Sequence, residues 1–277
     1  MNMNIKIGLC YRNWLHEKYL NQILDIVDII EIMPDITDVE EIKLIKKSCE
    51  EKNIDLSIHS LRSNIGSVEG IHKDETDKYF FVNYYCDSVY FSDHMAFSHI
   101  LGNYLSSVNQ LIYNEENIRV VQKNIAQLEH KFSDTPVLIE NITQNNLRKD
   151  STMRESDFWH SVFQNLGSNV GIMLDITNMY VTSKNNNIDF FSYIKGFPLH
   201  KVECIHLSGY EIMENNRLQD SHLSDIDENI FAILREILPQ TNAKYVLLER
   251  DFNVFNFNDI SNEIAKIKEA VNTSVLL

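Results

Sequence analysis

The sequence predicts an α/β fold, a (β/α)8 TIM barrel, and two observations support this prediction. Short apolar runs rich in isoleucine, valine and leucine recur eight times, and longer amphipathic segments separate most of them. Strands that alternate with helices predict a parallel sheet, and strands that are apolar along their whole length predict that both faces are covered. Eight such units in a chain of 277 residues match the strand number and the length of this barrel.

The predicted strands are the apolar runs, taken in chain order. They span 6–12, 28–35, 55–60, 88–94, 136–141, 170–178, 202–209 and 243–251. The clearest helices have apolar residues at three-to-four spacing and span 40–53, 115–132 and 227–238. We interpret the aromatic stretch 79–91 as core and strand rather than as a peptide-binding groove. No linker or change in composition divides the chain, so we predict a single domain over residues 1–277.

Composition and charge exclude several classes of protein. Asp and Glu outnumber Lys and Arg by 40 to 25, and the formal charge of −15 would repel nucleic acid and anionic membranes. The N-terminus lacks the apolar core of a signal peptide, and no apolar run reaches the ~18 residues of a membrane span. The four cysteines are far apart with no C-x-x-C pair, which indicates reduced thiols. We therefore expect a cytoplasmic protein with no nucleic-acid partner and no membrane partner.

Polar side chains gather where the predicted strands end. In chain order these are His59, Asp93, His94, Glu140, Asn141, Asp175, Asn178, His206, Glu249, Arg250 and Asp251. In a parallel barrel all of these strand ends meet at one mouth, where long loops at 141–151, 182–189 and 210–225 would join them. Asp220 and His222 follow the seventh strand, and in an extended segment their side chains would share a face.

Carboxylates and imidazoles crowded at one mouth predict a metal site. A lone histidine at a strand end more often makes a structural hydrogen bond, and a lone aspartate there often caps a helix. Here the carboxylates would repel each other unless cations neutralised them. Imidazoles and carboxylates without thiolates suit Fe, Mn or Zn. About eight candidate ligands are too many for one ion, so we predict two or three ions ~3.5–4 Å apart, bridged by a carboxylate such as Glu140.

Several motifs occur in the order and spacing of a known enzyme family. They are GLCYR, IEIMPD, HSLRSNIGS, FSDHMAFS, LIENIT, IMLDITNMYVTSKNN, IHLSGY, DSH and LLERD, and they span nearly the whole chain. On these motifs the chain resembles the multinuclear non-heme iron-dependent oxidases, which include the methanobactin-biosynthesis iron oxidase and the 3-thiaglutamate pathway enzyme. We accordingly expect a xylose-isomerase-like TIM barrel.

The resemblance implies a cofactor, a substrate and a set of site residues. The cofactor would be two or three iron ions, mixed Fe2+ and Fe3+, that use O2 to oxidise a residue, commonly cysteine, of a ribosomally made precursor peptide. A separate partner protein would recognise the leader of that peptide. The implied metal ligands are His59, His94, Glu140, Asp175, His206, Asp220, His222 and Glu249. The candidate catalytic residues are Asp93, Asn178, which is also a further candidate ligand, and Arg250, which could bind a substrate carboxylate.

Two other classes of function stay open on the sequence. A divalent-metal barrel of the sugar isomerase, epimerase or hydrolase type also gathers His, Glu and Asp at its strand ends. An endonuclease of this type is disfavoured because an acidic protein binds a polyanion poorly. A non-catalytic metal-binding protein is the second alternative. Zn, Mn or Mg with no dependence on O2 would favour the isomerase or hydrolase, whereas metal ions without open coordination positions would favour the binding protein.

Overall fold

Eight parallel strands form a closed barrel, which confirms the predicted fold class. The structure is a computed structural model that describes residues 5–252, 254 and 256–274. In chain order the strands are β1 (Lys6–Cys10), β2 (Ile29–Ile32), β3 (Asp55–Ser60), β4 (Phe91–His94), β5 (Phe97–Ile100), β6 (Asn103–Asn109), β7 (Val137–Glu140), β8 (Val170–Asp175), β9 (Val202–Ser208), β10 (Tyr210–Ile212), β11 (Leu218–Asp220) and β12 (Tyr245–Glu249). Two short antiparallel hairpins, β5–β6 and β10–β11, are separate from the barrel.

The barrel follows chain order, and its register brings polar residues side by side at the carboxyl end. Strand β12 returns beside β1, where Leu9 lies opposite Leu248, and this pairing closes the barrel. His94 lies beside Glu140 on neighbouring strands. Asp175 likewise lies beside His206. Because parallel strands end at the same edge, the register itself assembles imidazoles and carboxylates there.

Helices follow most of the barrel strands. They are α1 (Asn13–Lys18), α2 (Leu20–Ile23), α3 (Val39–Lys52), α4 (Lys73–Cys86), α5 (Glu115–Lys131), α6 (Glu155–Phe163), α7 (Ile176–Asn185), α8 (Phe190–Ile194), α9 (Glu228–Ile237) and α10 (Phe257–Ser274). Side chains cap their first turns: Asp38 accepts a hydrogen bond from the backbone of Glu41, and Asn114 accepts one from Asn117. Such caps satisfy backbone N–H groups that a helix start leaves free. None of the described helices has both the length and the apolar character of a membrane span.

The core has two layers. A large apolar cluster joins the outer faces of the barrel strands to the helices. A smaller one contains Cys10, Ile29, Tyr90, Leu138, Met173, Cys204 and Leu247, mostly from the barrel strands themselves. Three of these seven side chains carry a thiol or a hydroxyl group. The smaller layer is therefore less purely apolar than the space between barrel and helices.

The predicted elements agree with the structure in most places. All eight predicted barrel strands are present, and the helices predicted at 40–53, 115–132 and 227–238 correspond to α3, α5 and α9. The sixth strand ends at Asp175 rather than at residue 178, because the Asp175 side chain accepts a hydrogen bond from the backbone of Asn178 and so begins α7. Helix α7 also occupies 182–185, which the sequence assigned to a loop. The loop predicted at 210–225 contains the β10–β11 hairpin.

The interpretation of residues 79–91 as core and strand was wrong for most of the stretch. Residues 79–86 belong to α4, and the strand begins only at Phe91. Phe81 is 68% exposed and Tyr84 is 79% exposed, so aromatic side chains lie on the outside of this helix as well as inside. The helical period was hidden because apolar residues occupy nearly all of its faces. The first four residues, which the sequence predicts not to be part of a signal peptide, lie outside the described residues.

Candidate metal centre

Glu140 lies at the centre of the polar cluster at the mouth of the barrel. Its side chain is 1% exposed, and its Oε2 atom lies 3.3 Å from His59 Nε2 and 3.2 Å from His94 Nε2. Its other oxygen, Oε1, lies 3.3 Å from His206 Nδ1. One carboxylate at the end of β7 therefore faces imidazoles from β3, β4 and β9. This is the arrangement expected of a carboxylate that bridges two metal ions.

Further carboxylates extend the cluster towards β8, β11 and β12. Glu249 Oε2 lies 3.6 Å from His206 Nδ1 and also 3.6 Å from His222 Nδ1. Asp220 Oδ1 lies 2.9 Å from His222 Nε2. Two groups of possible ligand atoms, each within 4.8 Å of one another, share Glu140: one is His59, His94 and Glu140, and the other is Glu140, Asp175, His206 and Glu249. The cluster is therefore large enough for more than one ion.

Three buried atoms of the cluster lack hydrogen-bond partners among the described residues. They are Glu140 Oε2, Asp175 Oδ2 and His206 Nδ1. Buried polar atoms are nearly always hydrogen-bonded, because an unpaired one costs about 1–3 kcal/mol. All three belong to the residues that could share an ion, and each is an oxygen or a nitrogen that can donate a lone pair. They therefore fit divalent metal ions of the Fe, Mn or Zn class.

The electrostatics of the cluster indicate a demand for positive charge. Burial raises the pKa of Asp175 well above its ordinary value, and the charges of Asp220 and Glu140 raise it further. Burial lowers the pKa of His94, but the charge of Glu140 and the contacts with Asp93 outweigh it and raise the pKa to about 9. Glu249 and Asp220 likewise outweigh burial and raise the pKa of His222 to about 10. Metal ions would supply the same positive charge without protons.

A cavity of about 330 Å³ opens over the cluster. Its lining includes His59, His94, Glu140, Asn178, Asp220, His222 and Glu249. Val108 of the β5–β6 hairpin and Ile142 of the loop after β7 add apolar surface to its wall. Six of the eight candidate ligands thus line a cavity that is open on one side, as a site that receives a substrate requires, while Asp175 and His206 lie beneath them, fully buried.

The structure brings together all eight of the residues that the sequence nominated as metal ligands, whose role as ligands stays a prediction. Asn178 lines the same cavity and accepts a hydrogen bond of 2.5 Å from Thr143. Asp93 does not line the cavity, because it accepts hydrogen bonds from the Ser60 hydroxyl and the Ser63 backbone. Arg250 does not line it either.

Arg250 contacts carboxylates on another side of the barrel. Its guanidinium lies 3.2 Å from Asp225 and 3.5 Å from Glu263, a glutamate of α10. With a side chain only 4% exposed, Arg250 joins β12 to its surroundings. The catalytic roles predicted for Asp93 and Arg250 stay predictions, and the structure gives neither residue a place in the cavity lining.

Two charged residues of the centre were missed by the sequence reasoning. Arg12, just after β1, donates to Asp251 Oδ1 at 2.6 Å and to Glu249 Oε1 at 3.2 Å, and it lines the cavity. Glu31 lies inside the barrel with a fully buried side chain, 3.2 Å from His206 Nε2. The available signal for Glu31 was a charged residue within the apolar run IIEI, and for Arg12 it was a cation at the end of the first predicted strand.

His222 reaches the cluster by a different route from the one predicted. The sequence was expected to place Asp220 and His222 on one face of an extended segment, but His222 has φ +53° and is therefore not extended. Its backbone N–H donates to Gly209 O at 3.0 Å, and its carbonyl accepts from Asp251 N at 3.0 Å. These bonds hold the loop over the ends of β9 and β12, so the left-handed turn aims the imidazole at the mouth.

Solved structures similar to this chain share its fold. A D-tagatose 3-epimerase-like protein matches with a TM-score of 0.64 at 15% identity, over 98% of each chain. A xylose isomerase domain-containing protein from Salmonella typhimurium matches with a TM-score of 0.63 at 13% identity, over 99% of this chain and 98% of that one. At such identities the likeness concerns the fold alone, and it confirms the xylose-isomerase-like TIM barrel.

Curated relatives cover most of the chain and are named UPF0276 proteins. A UPF0276 protein of Acinetobacter baylyi is 27% identical over 221 residues, which are 79% of this chain and 75% of the relative. A UPF0276 protein of Rhizorhabdus wittichii is 25% identical over 217 residues, 78% of this chain and 76% of the relative. The model of the RiPP precursor modification enzyme family MbnB/TglH/ChrH matches residues 6–272. This match spans all eight barrel strands and every candidate ligand, and it establishes that the chain belongs to the MbnB/TglH/ChrH family of RiPP precursor modification enzymes.

Proposed function

We propose that this enzyme is an iron-dependent oxidase that uses O2 to modify a cysteine of a ribosomally made precursor peptide. The observation that carries the proposal is Glu140, whose two oxygens face imidazoles from three strands at the base of an open cavity. Membership of a family of precursor modification enzymes supports a peptide substrate. The resemblance of its motifs to multinuclear iron oxidases supports the choice of iron and of O2.

The residues present fit a centre of two or three iron ions in mixed Fe2+ and Fe3+ states. The residues that would hold them are His59, His94, Glu140, Asp175, His206, Asp220, His222 and Glu249. When bound, iron would supply Lewis acidity and the redox chemistry of O2. The orphaned atoms of Glu140, Asp175 and His206 support this assignment, because each has a free lone pair within the cluster.

The surrounding side chains would orient the substrate and shield the centre. Arg12 brings a guanidinium into the cavity lining, which favours the approach of an anionic group such as a cysteine thiolate. The single O–H of Thr143 donates to Asn178 Oδ1, and the same hydroxyl lies 3.2 Å from Asp220 Oδ2, so it holds two polar groups on one wall. Met33, Leu61, Val108 and Ile142 supply the apolar part of the lining. A peptide side chain in this cavity would exclude water from the cluster.

We also propose a separate partner protein that recognises the leader of the peptide, and a cytoplasmic location. The resemblance to the iron oxidases supports the partner. The acidic charge of −15 supports a partner or a leader segment with basic residues, because opposite charges speed association.

The test is oxidation of a peptide under controlled metal and O2. The protein is loaded with Fe2+ without O2 and mixed with a cysteine-containing precursor peptide, and then O2 consumption and peptide mass are followed together. We expect O2 to be consumed only when the peptide is present, with a mass change at its cysteine. The matched control is the same peptide with each cysteine replaced by serine, which should stay unmodified.

The same assay separates the oxidase from the sugar-acting enzymes that share its fold. The solved neighbours include D-psicose 3-epimerase and L-ribulose 3-epimerase. Protein loaded with Mn2+ or Zn2+ is offered ketoses in the absence of O2. Epimerisation there, together with an unmodified peptide in the iron assay, would replace the proposed oxidase with an epimerase. An iron-free protein after anaerobic loading would contradict the oxidase directly.

A further inference from the structure

The two ring nitrogens of His206 have different surroundings. Nδ1 faces the mouth of the barrel, 3.3 Å from Glu140 and 3.6 Å from Glu249, and has no hydrogen-bond partner among the described residues. Nε2 lies 3.2 Å from an oxygen of Glu31. The side chains of His206 and Glu31 are both fully buried. The imidazole therefore lies between the proposed ligands on one side and a single carboxylate on the other.

Neighbouring groups hold the Glu31 carboxylate in place. The Tyr90 hydroxyl donates to Oε2 at 2.9 Å. The Cys10 thiol donates to Oε1 at 3.2 Å, the same oxygen that faces His206. These groups come from β1, from β2 and from the residue just before β4. Because three parts of the barrel fix this carboxylate, it is rigid with respect to the imidazole.

We infer that Glu31 is a positioning residue, which accepts a hydrogen bond from the Nε2–H of His206 and leaves the Nδ1 lone pair directed at the metal centre. This inference rests on the proposed metal centre for its consequence. In metal sites a histidine ligand usually donates its other N–H to a carboxylate or carbonyl, which fixes the tautomer and makes the ligand nitrogen more basic. Glu31 meets this description, although the ligand set at the mouth does not include it.

The two other histidines around Glu140 show that this arrangement is specific to His206. His59 places Nδ1 2.9 Å from the Ser92 hydroxyl, and His94 places Nδ1 3.2 Å from the Ser60 carbonyl. Both turn Nε2 towards Glu140. Neutral oxygens are thus the nearest partners of their far nitrogens. The Asp93 carboxylate lies 3.6 Å from His94 Nδ1, beyond hydrogen-bond distance, whereas the Glu31 carboxylate lies within hydrogen-bond distance of His206 Nε2. Among these three imidazoles, we expect His206 to be the strongest electron donor to a bound ion.

A competing explanation places a metal ion on the deep side of His206. Cys10, His206 and Glu249 together could hold one, and Cys10 Sγ lies 3.9 Å from Nε2. However, Nε2 and the Cys10 thiol already have Glu31 as a hydrogen-bond acceptor, while Nδ1 has no such partner among the described residues. The hydrogen bonds therefore favour a metal on the Nδ1 side and a proton on the Nε2 side.

The experiment compares Glu31→Gln and Glu31→Leu with the wild type. The matched control is Glu263→Gln, a similarly buried glutamate in α10 that contacts Arg250. In metal-free protein, at a pH high enough for the His206 ring to be neutral, 15N NMR of the histidine rings reports which nitrogen of His206 keeps its proton, with the signal assigned through His206→Asn. Zn2+ affinity is then measured by competition with a chromophoric chelator, and thermal unfolding of the metal-free proteins reports any purely structural effect.

We expect the wild type to hold its proton on Nε2 and Glu31→Leu to populate both tautomers. Zn2+ affinity should fall about 10–100-fold in Glu31→Leu. It should fall less in Glu31→Gln, whose amide oxygen can still accept the proton. Glu263→Gln should change neither quantity. If Glu31→Leu does not fold, Glu31→Gln is tested with Tyr90→Phe, which frees the carboxylate from one of its anchors and should also weaken Zn2+ binding.

Three results would overturn the inference. The first is an unchanged His206 tautomer and Zn2+ affinity in the Glu31 variants, and the second is a wild-type proton on Nδ1. The third is a thiolate-to-metal absorption band in Co2+-loaded protein that disappears in Cys10→Ser, which would place an ion on the deep side. A wild type that binds neither Fe2+ nor Zn2+ would contradict the proposed function instead, while the tautomer measurement would still decide the role of Glu31.

Discussion

Glu140 is the residue that two groups of candidate ligands share. One oxygen faces His59 and His94, and the other faces His206. His222 lies at the edge of the cluster, next to Asp220 and Glu249. Loss of the carboxylate charge should therefore affect every bound ion, whereas loss of the outer imidazole should affect only its own neighbourhood.

We predict that Glu140→Gln lowers the metal content to less than half of the wild-type value. His222→Ala should lose only part of the metal and keep the ion beside His59 and His94. Elemental analysis after anaerobic loading with Fe2+ gives both stoichiometries, and circular dichroism checks that the barrel remains folded. Equal metal content in the wild type and Glu140→Gln would show that Glu140 is not a shared ligand.

Most site residues at strand ends could be predicted from the sequence, as could Asp220 and His222 beyond the seventh strand, whereas Glu31 within a strand could not. His59, His94, Glu140 and His206 were visible because a polar residue at the end of an apolar run is conspicuous. Glu31 was hidden because its partner is 175 positions away in the sequence and its own run predicts an ordinary strand. Which side of the barrel wall a strand residue faces depends on register, which the sequence pattern does not fix.

The end of β9 and the loop that carries His222 approach each other at Gly209. A Cβ atom at this position would lie 1.9 Å from the backbone oxygen of Ser224, a distance that no side-chain rotation can relieve. Gly209 also accepts the hydrogen bond from the backbone of His222. The glycine is therefore needed for close packing of this loop on the barrel mouth.

We predict that Gly209→Ala displaces the loop at 221–224 and weakens metal binding about as much as His222→Ala does. Chelator competition measures the metal affinity, and thermal unfolding measures the stability of the metal-free protein. The free energy lost from metal binding should exceed the free energy lost from folding. The control is Ser224→Ala, which removes the hydroxyl that donates to the Tyr210 carbonyl but adds no atom near Gly209. Wild-type affinity in Gly209→Ala would show that the loop can shift without moving the imidazole.

Helix α6 begins with a buried carboxylate outside the metal cluster. Glu155 accepts hydrogen bonds from Gln144 at 2.7 Å and Trp159 at 3.3 Å, and also from Tyr193. Burial raises its pKa to about 7, although these donors lower it. The folded state therefore binds a proton between pH 4.5 and 7 that the unfolded state has already lost, so stability falls as pH rises through this window and then levels off.

We predict that Glu155→Gln removes this dependence on pH. The shift corresponds to at most about 3 kcal/mol of unfolding free energy. The difference in unfolding free energy, variant minus wild type, should therefore be more positive at pH 8 than at pH 5. Denaturant unfolding of both metal-free proteins at the two pH values measures the difference. Burial also raises the pKa of Glu263 to about 7. Because Glu263 titrates in both proteins, its contribution cancels in the difference between them. A difference that does not vary with pH would contradict the prediction.

At the element scale, the long periodic elements were predictable and the short ones were not. Helices α3, α5 and α9 each show an apolar face, and the barrel strands show unbroken apolar runs. The hairpins β5–β6 and β10–β11 have short strands of three to seven residues, and few of their side chains are buried, so neither the helical nor the strand period of apolar residues marks them. The turn of the first hairpin even uses Leu101 at φ +50°, a conformation that sequence preferences assign to glycine or asparagine.

On the scale of the whole molecule, the candidate centre joins most of the barrel. Its candidate ligands come from β3, β4, β7, β8, β9, β11 and β12 and from the loop that follows β11. Without cations the carboxylates are buried close to one another and repel each other. Both effects raise the pKa of Asp175, with burial the larger cause. Bound metal ions would neutralise these carboxylates, and each ion would be coordinated by residues from strands that are distant in sequence. Since the unfolded chain cannot gather these residues, binding should stabilise the folded barrel as a whole.

We predict that Fe2+, or Mn2+ as an air-stable substitute, raises the unfolding temperature of metal-free protein. An ion at 100 times its Kd adds about 2.7 kcal/mol per site. For a chain of this size, that corresponds to a rise of roughly 5 °C for each site. Calorimetry at increasing metal concentration measures the rise, and Glu140→Gln should show little of it. Mg2+ is the control ion, because it prefers oxygen ligands and binds imidazoles poorly. If Mn2+ and Mg2+ raise the unfolding temperature equally, the imidazoles of the mouth do not bind the ions, and the stabilisation comes from screening of an acidic protein.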